Sequence, residues 1–143
     1  MRVLGLDMGS KRIGVAVSDE LGVIAQALTT ITRTDTEQDI KSIADLMCQY
    51  DVQEVVIGYP RHLDGRPSDE AAGYVSFGEM LTEETGIPVA FWDERLTTVA
   101  AERVLLEGDM RRRKRRKVID KVAATLILES YLASRQGTRE KGE

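Results

Sequence analysis

With 143 residues, 42% of them hydrophobic and 31% charged, the chain is large enough for one soluble domain that buries a core without disulfides. Its single cysteine, Cys48, excludes an internal disulfide and a cysteine-ligated zinc cluster, and its helical apolar surroundings predict a core position. The net charge is −4, no apolar run approaches the roughly 20 residues of a membrane span, and no signal peptide precedes the first strand, so we expect a cytoplasmic protein without a membrane partner.

The first third of the chain predicts three strands and a helix. Residues 2–7 and 12–19 are strand-like and are joined by a short reversal of small residues, and residues 23–31 add a third, β-branched run. Three strands joined by short turns predict an antiparallel meander. A helix is expected over 36–50, where Thr34 and Glu37 match a capping box.

The rest of the chain alternates strands and helices. In chain order, the predicted elements are a strand at 54–58, a helix at 68–85, a strand at 89–92 and helices at 97–107 and 118–134. Strand–helix–strand units pair in parallel through right-handed crossovers, so the first, fourth and fifth strands would end at one edge of the sheet. We expect one α/β domain over 1–135 and a disordered tail over 136–143.

Acidic residues lie at the ends of three of these apolar segments, after two strands and at the start of the last helix. Asp7 ends the first strand, Asp93 and Glu94 follow the fifth, and Asp120 lies in the first turn of the last helix, near the face that packs on the sheet. Carboxylates are costly to bury in apolar surroundings unless their charge is offset, and a divalent metal ion offsets it. Because ligands of open α/β sheets bind beyond the carboxyl ends of strands, these acids are candidates for one site.

Each carboxylate also has a purely structural explanation. Asp7 could cap the glycine turn that follows it, and Asp120 could be a first-turn aspartate favoured by the helix dipole. Asp93 and Glu94 are adjacent, so in extended chain they point to opposite faces and only one faces the site. We favour Glu94 and keep Asp93 as the alternate, or as an ion-pair partner of Arg95.

Positive charge is concentrated just before Asp120. Residues 111–117 are seven consecutive cations, and subtracting them leaves −11 on the remainder of the chain. One basic strip on an acidic protein suits a nucleic-acid backbone, although charge runs are also common on solvated surfaces. The candidate nucleic-acid-binding residues are those of the strip and four others expected near the same sheet edge: Arg111, Arg112, Arg113, Lys114, Arg115, Arg116, Lys117, Lys11, Arg12, Arg61 and Arg95.

Four segments together resemble the YqgF/RuvX family. In order, they are Gly5 to Asp19, Gly58-Tyr59-Pro60 with Asp64-Gly65, Asp93 to Thr98, and Asp120 to Ala124. The resemblance covers nearly the whole chain, to about residue 134. The chain departs from the family pattern at Arg61-His62 and at Gly73 and Gly78. The two glycines weaken the predicted helix by roughly 1 kcal/mol each relative to alanine.

The resemblance implies an RNase H-like fold related to the RuvC-type Holliday junction resolvases. Such a fold has a five-stranded mixed sheet, three antiparallel strands and then two parallel ones, flanked by helices. The resemblance also implies a nuclease that matures the 5′ end of pre-16S ribosomal RNA, with Asp7, the Asp93–Glu94 pair and Asp120 as its acidic site.

On this basis we predict that Asp7, Glu94 and Asp120 bind Mg²⁺ or Mn²⁺, with two ions, for hydrolysis of a phosphodiester bond. Two alternatives stay open. One is a DNA-junction resolvase acting as a dimer, and the other is a non-catalytic ribosome-assembly factor that binds pre-rRNA. The sequence does not distinguish a monomer from a weak dimer.

Overall fold

The structure, a computed structural model, describes residues 1–59, 71–96 and 122–135. Over these residues the elements are β1 (Arg2–Met8), β2 (Arg12–Ser18), β3 (Ala25–Thr32), α1 (Thr36–Gln49), β4 (Val52–Tyr59), α2 (Ala71–Thr85) and β5 (Val89–Asp93). A short 3₁₀ turn, Glu94–Leu96, follows β5, and residues 122–135 are helical and are labelled α3. The predicted helix at 97–107 and the tail at 136–143 lie outside the described residues. No helix in the described ranges is long and apolar enough to cross a membrane.

The five strands form one mixed sheet in the order β3-β2-β1-β4-β5. β2 pairs antiparallel with both β1 and β3, whereas β4 pairs parallel with both β1 and β5. The predicted meander and the predicted parallel strands are therefore confirmed. As a result, the carboxyl ends of β1, β4 and β5 lie at the same end of the sheet.

Both faces of the sheet are covered, because the central strands are apolar on both sides. On the α1/α2 face, Leu4 and Ile57 pack with Ile43 of α1 in the larger core. On the opposite face, here called the α3 face, Val3 packs with Leu128 of α3 in a second, smaller core. Strand alternation thus assigns every residue of β1 to one of two helical layers.

Gly5 allows α3 to lie close against β1. A Cβ at Gly5 would lie 2.9 Å from the Cβ of Leu128 and 3.1 Å from the carbonyl oxygen of Ala124. Both distances are too short for an ordinary carbon contact. Alanines on the buried side of α3 complete this close contact.

Helix α1 begins where it was predicted, but its N-cap prediction was wrong. The cap is Asp35 rather than Thr34, since Asp35 Oδ1 accepts a hydrogen bond from the Gln38 N–H at 2.9 Å. The backbone N–H of Thr34 donates instead to Oδ1 of buried Asp39, at 3.1 Å. The backbone N–H groups around the start of α1 thus have two side-chain acceptors, Asp35 and Asp39, where the sequence predicted one, Thr34.

Cys48 is exposed, so the prediction of a core position for it was wrong. The buried side of α1 is formed instead by Ile40, Ile43 and Met47, which recur at helical spacing. Cys48 follows Met47 by one residue and is therefore rotated about 100° away from that stripe.

The two glycines of α2 have different surroundings. A Cβ at Gly78 would lie 2.7 Å from Cζ of Phe91 and 3.2 Å from Cγ1 of Val89, so glycine allows α2 to pack closely on β5. A Cβ at Gly73 would have no heavy atom within 4 Å. Only Gly78 is therefore required by packing.

These surroundings predict opposite effects of two alanine substitutions. Gly73→Ala should stabilise the protein by about 0.5–1 kcal/mol, because alanine restricts the unfolded chain and favours helix. Gly78→Ala should destabilise it by about 1–3 kcal/mol, because the Phe91 ring has to move. Chemical denaturation followed by circular dichroism measures both values. Equal effects of the two substitutions would contradict the close packing of α2 on β5.

Polar contacts fasten the carboxyl end of α3 to the sheet. The Tyr131 hydroxyl donates to one carboxylate oxygen of Glu54, and Arg135 Nη1 donates to the other at 2.7 Å. Trp92 Nε1 donates to Ser130 Oγ at 2.9 Å, and the Trp92 ring meets the Tyr131 ring edge to face. Partial burial and the hydrogen bond to Glu54 raise the pKa of Tyr131 to about 12.

This environment predicts a late phenol titration. Because folding favours the neutral phenol, the stability it contributes is complete below the ordinary pKa of 10.0 and is lost as the pH rises through about 12. Ultraviolet absorbance of phenolate should show one tyrosine ionising above the others. Tyr131→Phe should remove that last step, and its persistence in the variant would show that another tyrosine is responsible.

Candidate active site

Asp7 lies near the carboxyl end of β1 and is almost fully buried, with 2% of its surface exposed. Alternation along β1 places it on the α3 face, in phase with Val3 and Gly5, since Leu4 and Met8 belong to the opposite core. An ionised carboxylate at this depth requires donors or a cation to offset its charge. Asp7 therefore lies where the sequence predicted it, at the end of the sheet where ligands of α/β folds bind.

The sheet around Asp7 is lined by glycines. Gly5 precedes it by two residues on the same face, and Gly14 of β2 is its direct antiparallel partner. Gly58 of β4 comes one residue after the last β1–β4 pair. Since none of the three has a side chain, groups from other elements can approach the sheet closely here, as Leu128 does at Gly5 and Glu94 does at Gly58.

Glu94 extends over one of these glycines. A Cβ at Gly58 would lie 2.9 Å from Oε1 of Glu94, 3.3 Å from its Cγ and 2.5 Å from Cδ1 of Ile127. Because Ile127 belongs to the α3 core, the Glu94 carboxylate lies on the α3 face as well. The structure therefore brings Glu94 and Asp7 to the same face and the same end of the sheet.

Asp93 lies on the other face. It is the last residue of β5 and pairs in register with Tyr59. Phe91 packs against the α1/α2 core and Trp92 against the α3 core, so alternation places Asp93 with Phe91. Of the two adjacent acids, only Glu94 shares a face with Asp7.

The third predicted carboxylate, Asp120, lies outside the described residues, as do Arg61, the strip at 111–117 and the side chain of Arg95. Within the described ranges, no group of three or more His, Cys, Asp or Glu side chains could hold a metal ion. In those ranges the acidic site consists of Asp7 and Glu94.

Two predicted phosphate-binding residues lie beside the site. Lys11 is exposed in the turn between β1 and β2, and Arg12 is half-buried at the start of β2. Arg12 is in phase with Gly14 and Ala16, which places it on the α3 face together with Asp7. Cationic side chains therefore lie within five residues of the buried carboxylate.

The turn after β1 is held by side chains that the sequence analysis did not identify. The Tyr74 hydroxyl donates to the Met8 carbonyl at 2.7 Å, and Arg33 Nη1 donates to the Gly9 carbonyl at 3.0 Å. Arg33 in turn pairs with Asp39, which is only 2% exposed. An acid inside the apolar stripe of α1 was the sequence signal that could have indicated this ion pair.

The chain is similar to known proteins over almost its full length. The model of the RuvX family, described as a Holliday junction resolvase, matches residues 1–134. A protein of Caldanaerobacter subterraneus subsp. tengcongensis named "Putative pre-16S rRNA nuclease" is 52% identical over 139 residues, covering 96% of this chain and 100% of that protein. One of Clostridium beijerinckii with the same name is 54% identical over 134 residues, covering 92% and 96%.

Two solved structures share the fold. RuvC of T. thermophilus, in complex with a Holliday junction substrate, has a TM-score of 0.60 at 16% identity, covering 96% of this chain and 98% of that one. The fowlpox virus Holliday junction resolvase has a TM-score of 0.54 at 16% identity, covering 94% and 99%. These likenesses confirm the predicted RNase H-like fold.

The close approach of Glu94 to Gly58 predicts the effect of one methyl group added at Gly58. In Gly58→Ala, the new Cβ would displace Ile127 Cδ1 and the Glu94 carboxylate, so a metal site that used Glu94 would lose about tenfold in Mn²⁺ affinity. Isothermal titration calorimetry measures the affinity, with Gly73→Ala as the control substitution. A folded Gly58→Ala protein with unchanged affinity would argue against a role for Glu94 in metal binding.

Proposed function

The chain belongs to the RuvX family, and from that premise we propose that it is a metal-dependent nuclease that matures the 5′ end of pre-16S rRNA. The family and the names of its relatives describe nucleases, so the enzyme is a hydrolase acting on phosphodiester bonds. The observation that supports metal dependence is the placement of Asp7 and Glu94 on one face at one end of the sheet. A role in rRNA maturation would place the protein in the cytoplasm.

The donor chemistry of the site fits a hard divalent cation. Carboxylate oxygens are the ligands that Mg²⁺ and Mn²⁺ prefer, and Gly58 leaves room for the Glu94 carboxylate. Asp7 and Glu94, together with Asp120, would hold two ions. When bound, the cations supply Lewis acid chemistry at the phosphoryl group and lower the pKa of water.

The protein's own residues would place negative charge at the metal site and positive charge beside it for the nucleic-acid backbone. Two carboxylates on one face repel a phosphate unless a cation offsets their charge, so the site would bind a phosphate only together with a metal ion. Lys11 and Arg12, with the strip at 111–117, would bind phosphates of the nucleic-acid backbone. Such contacts position the strand but do not read its sequence.

The RNA substrate is favoured over junction DNA by the names of the closely similar relatives. Proteins around 50% identical over nearly their whole length are named for pre-16S rRNA. The junction-binding structures are only 16% identical, which supports the fold and leaves the substrate open.

The proposal predicts that Asp7→Asn keeps the fold and loses cleavage. The substrate is a labelled precursor of the 16S 5′ end, tested with Mg²⁺, Mn²⁺ or chelator. The rate should fall more than about 100-fold, because loss of a ligand exceeds the effect of losing its support. Asp45→Asn, which changes an exposed acid of α1, is the matched control and should cleave like the wild type.

Each alternative gives a different result in the same assay. Cleavage of a four-way DNA junction rather than the RNA, with a doubled mass in solution, would indicate a dimeric resolvase, since two strands are cut symmetrically. Salt-sensitive binding of pre-rRNA without metal-dependent cleavage would indicate an assembly factor. Normal cleavage by Asp7→Asn would overturn the site assignment.

A further inference from the structure

Two consecutive carbonyl groups directly after Asp7 accept hydrogen bonds from side chains of distant elements. Tyr74 of α2, 66 residues away, donates its hydroxyl to the Met8 carbonyl at 2.7 Å. Arg33, just after β3 and 24 residues from Gly9, donates Nη1 to the Gly9 carbonyl at 3.0 Å. The backbone leaving Asp7 is thus held at two successive peptide groups.

Arg33 is itself fixed in direction. Its Nε lies 3.3 Å from Oδ2 of buried Asp39, and its backbone N–H donates to the Lys11 carbonyl at 2.9 Å. Asp39 is held in place by the backbone N–H of Thr34, at 3.1 Å from Oδ1. The N–H donors of a guanidinium lie in one rigid plane, so the contact of Arg33 Nε with Asp39 directs Nη1 toward the β1–β2 turn.

The turn has little freedom to adjust by itself. The Gly9 N–H donates to the Arg12 carbonyl at 2.9 Å, and a Cβ at Gly9 would lie only 2.6 Å from the same oxygen. The segment so held joins Asp7 to Lys11 and Arg12. Its position therefore sets the carboxylate and the neighbouring cations together.

We propose that Tyr74 and Arg33 are positioning residues that fix the β1–β2 turn and thereby aim the Asp7 carboxylate, an inference that rests on the proposed function. An ion pair with a buried partner, such as Arg33–Asp39, is not favoured over apolar residues of similar volume for stability, because desolvation opposes the attraction between the charges. Its placement against the turn is explained by orientation, which catalytic groups need to within fractions of an ångström.

The test compares three variants of the full chain. Tyr74→Phe deletes one hydroxyl without opening a cavity, and Arg33→Met removes the fork while keeping an apolar stem. Arg135→Met is the matched control, because it breaks the ion pair with Glu54 on α3 and its side chain is 30% exposed, against 27% for Arg33. For Tyr74→Phe and Arg33→Met we expect kcat to fall about 10- to 100-fold. In Tyr74→Phe, KM for the RNA should stay unchanged.

Two readouts do not depend on cleavage. Amide exchange of the Gly9 N–H, followed by NMR, should accelerate in Tyr74→Phe and Arg33→Met, and their Mn²⁺ affinity measured by calorimetry should fall about tenfold. Arg135→Met should lower the melting temperature and leave both readouts at wild-type values. If Arg33 had only a structural role, Arg33→Met would behave like Arg135→Met, with a lower melting temperature and wild-type values of both readouts.

The outcomes separate this inference from the proposed function. If Asp7→Asn loses Mn²⁺ affinity and cleavage while folded Tyr74→Phe and Arg33→Met keep both, the positioning role is wrong and the proposed function stands. If the wild type neither binds Mn²⁺ nor cleaves the precursor, the proposed function is wrong. If the wild type does both and Asp7→Asn does so equally well, only the assignment of Asp7 to the site is wrong. In both cases the inference fails as well.

Discussion

Asp7 is an acid at the end of a buried, otherwise apolar strand, and the burial of its charge constrains everything around it. An ionised carboxylate in such a place is unstable without donors or a cation. The neighbouring strands accordingly present Gly14 and Gly58, which leave space beside the carboxylate, and Glu94, in the turn after β5, fills part of that space. A second carboxylate raises the local negative charge further, as the proposed cation site requires.

The two ends of α3 contact the sheet in different ways. Toward its beginning, small residues and Gly5 let the helix lie against β1. Toward its carboxyl end, Tyr131 and Arg135 fasten the helix to Glu54, away from the strand ends. The anchor is thus separated from the site, and the helix can be held firmly without placing further charges beside the carboxylates.

Periodicity and turn chemistry were sufficient to predict the strands, the parallel pairing and the end of the sheet that carries Asp7, because these follow from local pattern and chain connectivity. Specific side-chain contacts and close approaches were not predictable. The cap at Asp35 depends on Thr34 being engaged by buried Asp39, and the need for glycine at Gly78 depends on how close the Phe91 ring lies. Single-sequence patterns carry no distances, so close approaches and tethers of this kind appear only in three dimensions.

The choice between Asp93 and Glu94 depends on strand register. A shift of one residue in the pairing of β5 would exchange the faces of the two acids, because side chains alternate with a period of two. The apolar residues before them oppose that shift: Phe91 packs on the α1/α2 face, and Trp92 donates to Ser130 on the α3 face. Exchanging them would bury the indole N–H without Ser130 and drive the larger ring toward Gly78. The two aromatic side chains Phe91 and Trp92 therefore determine which of the two acids shares a face with Asp7.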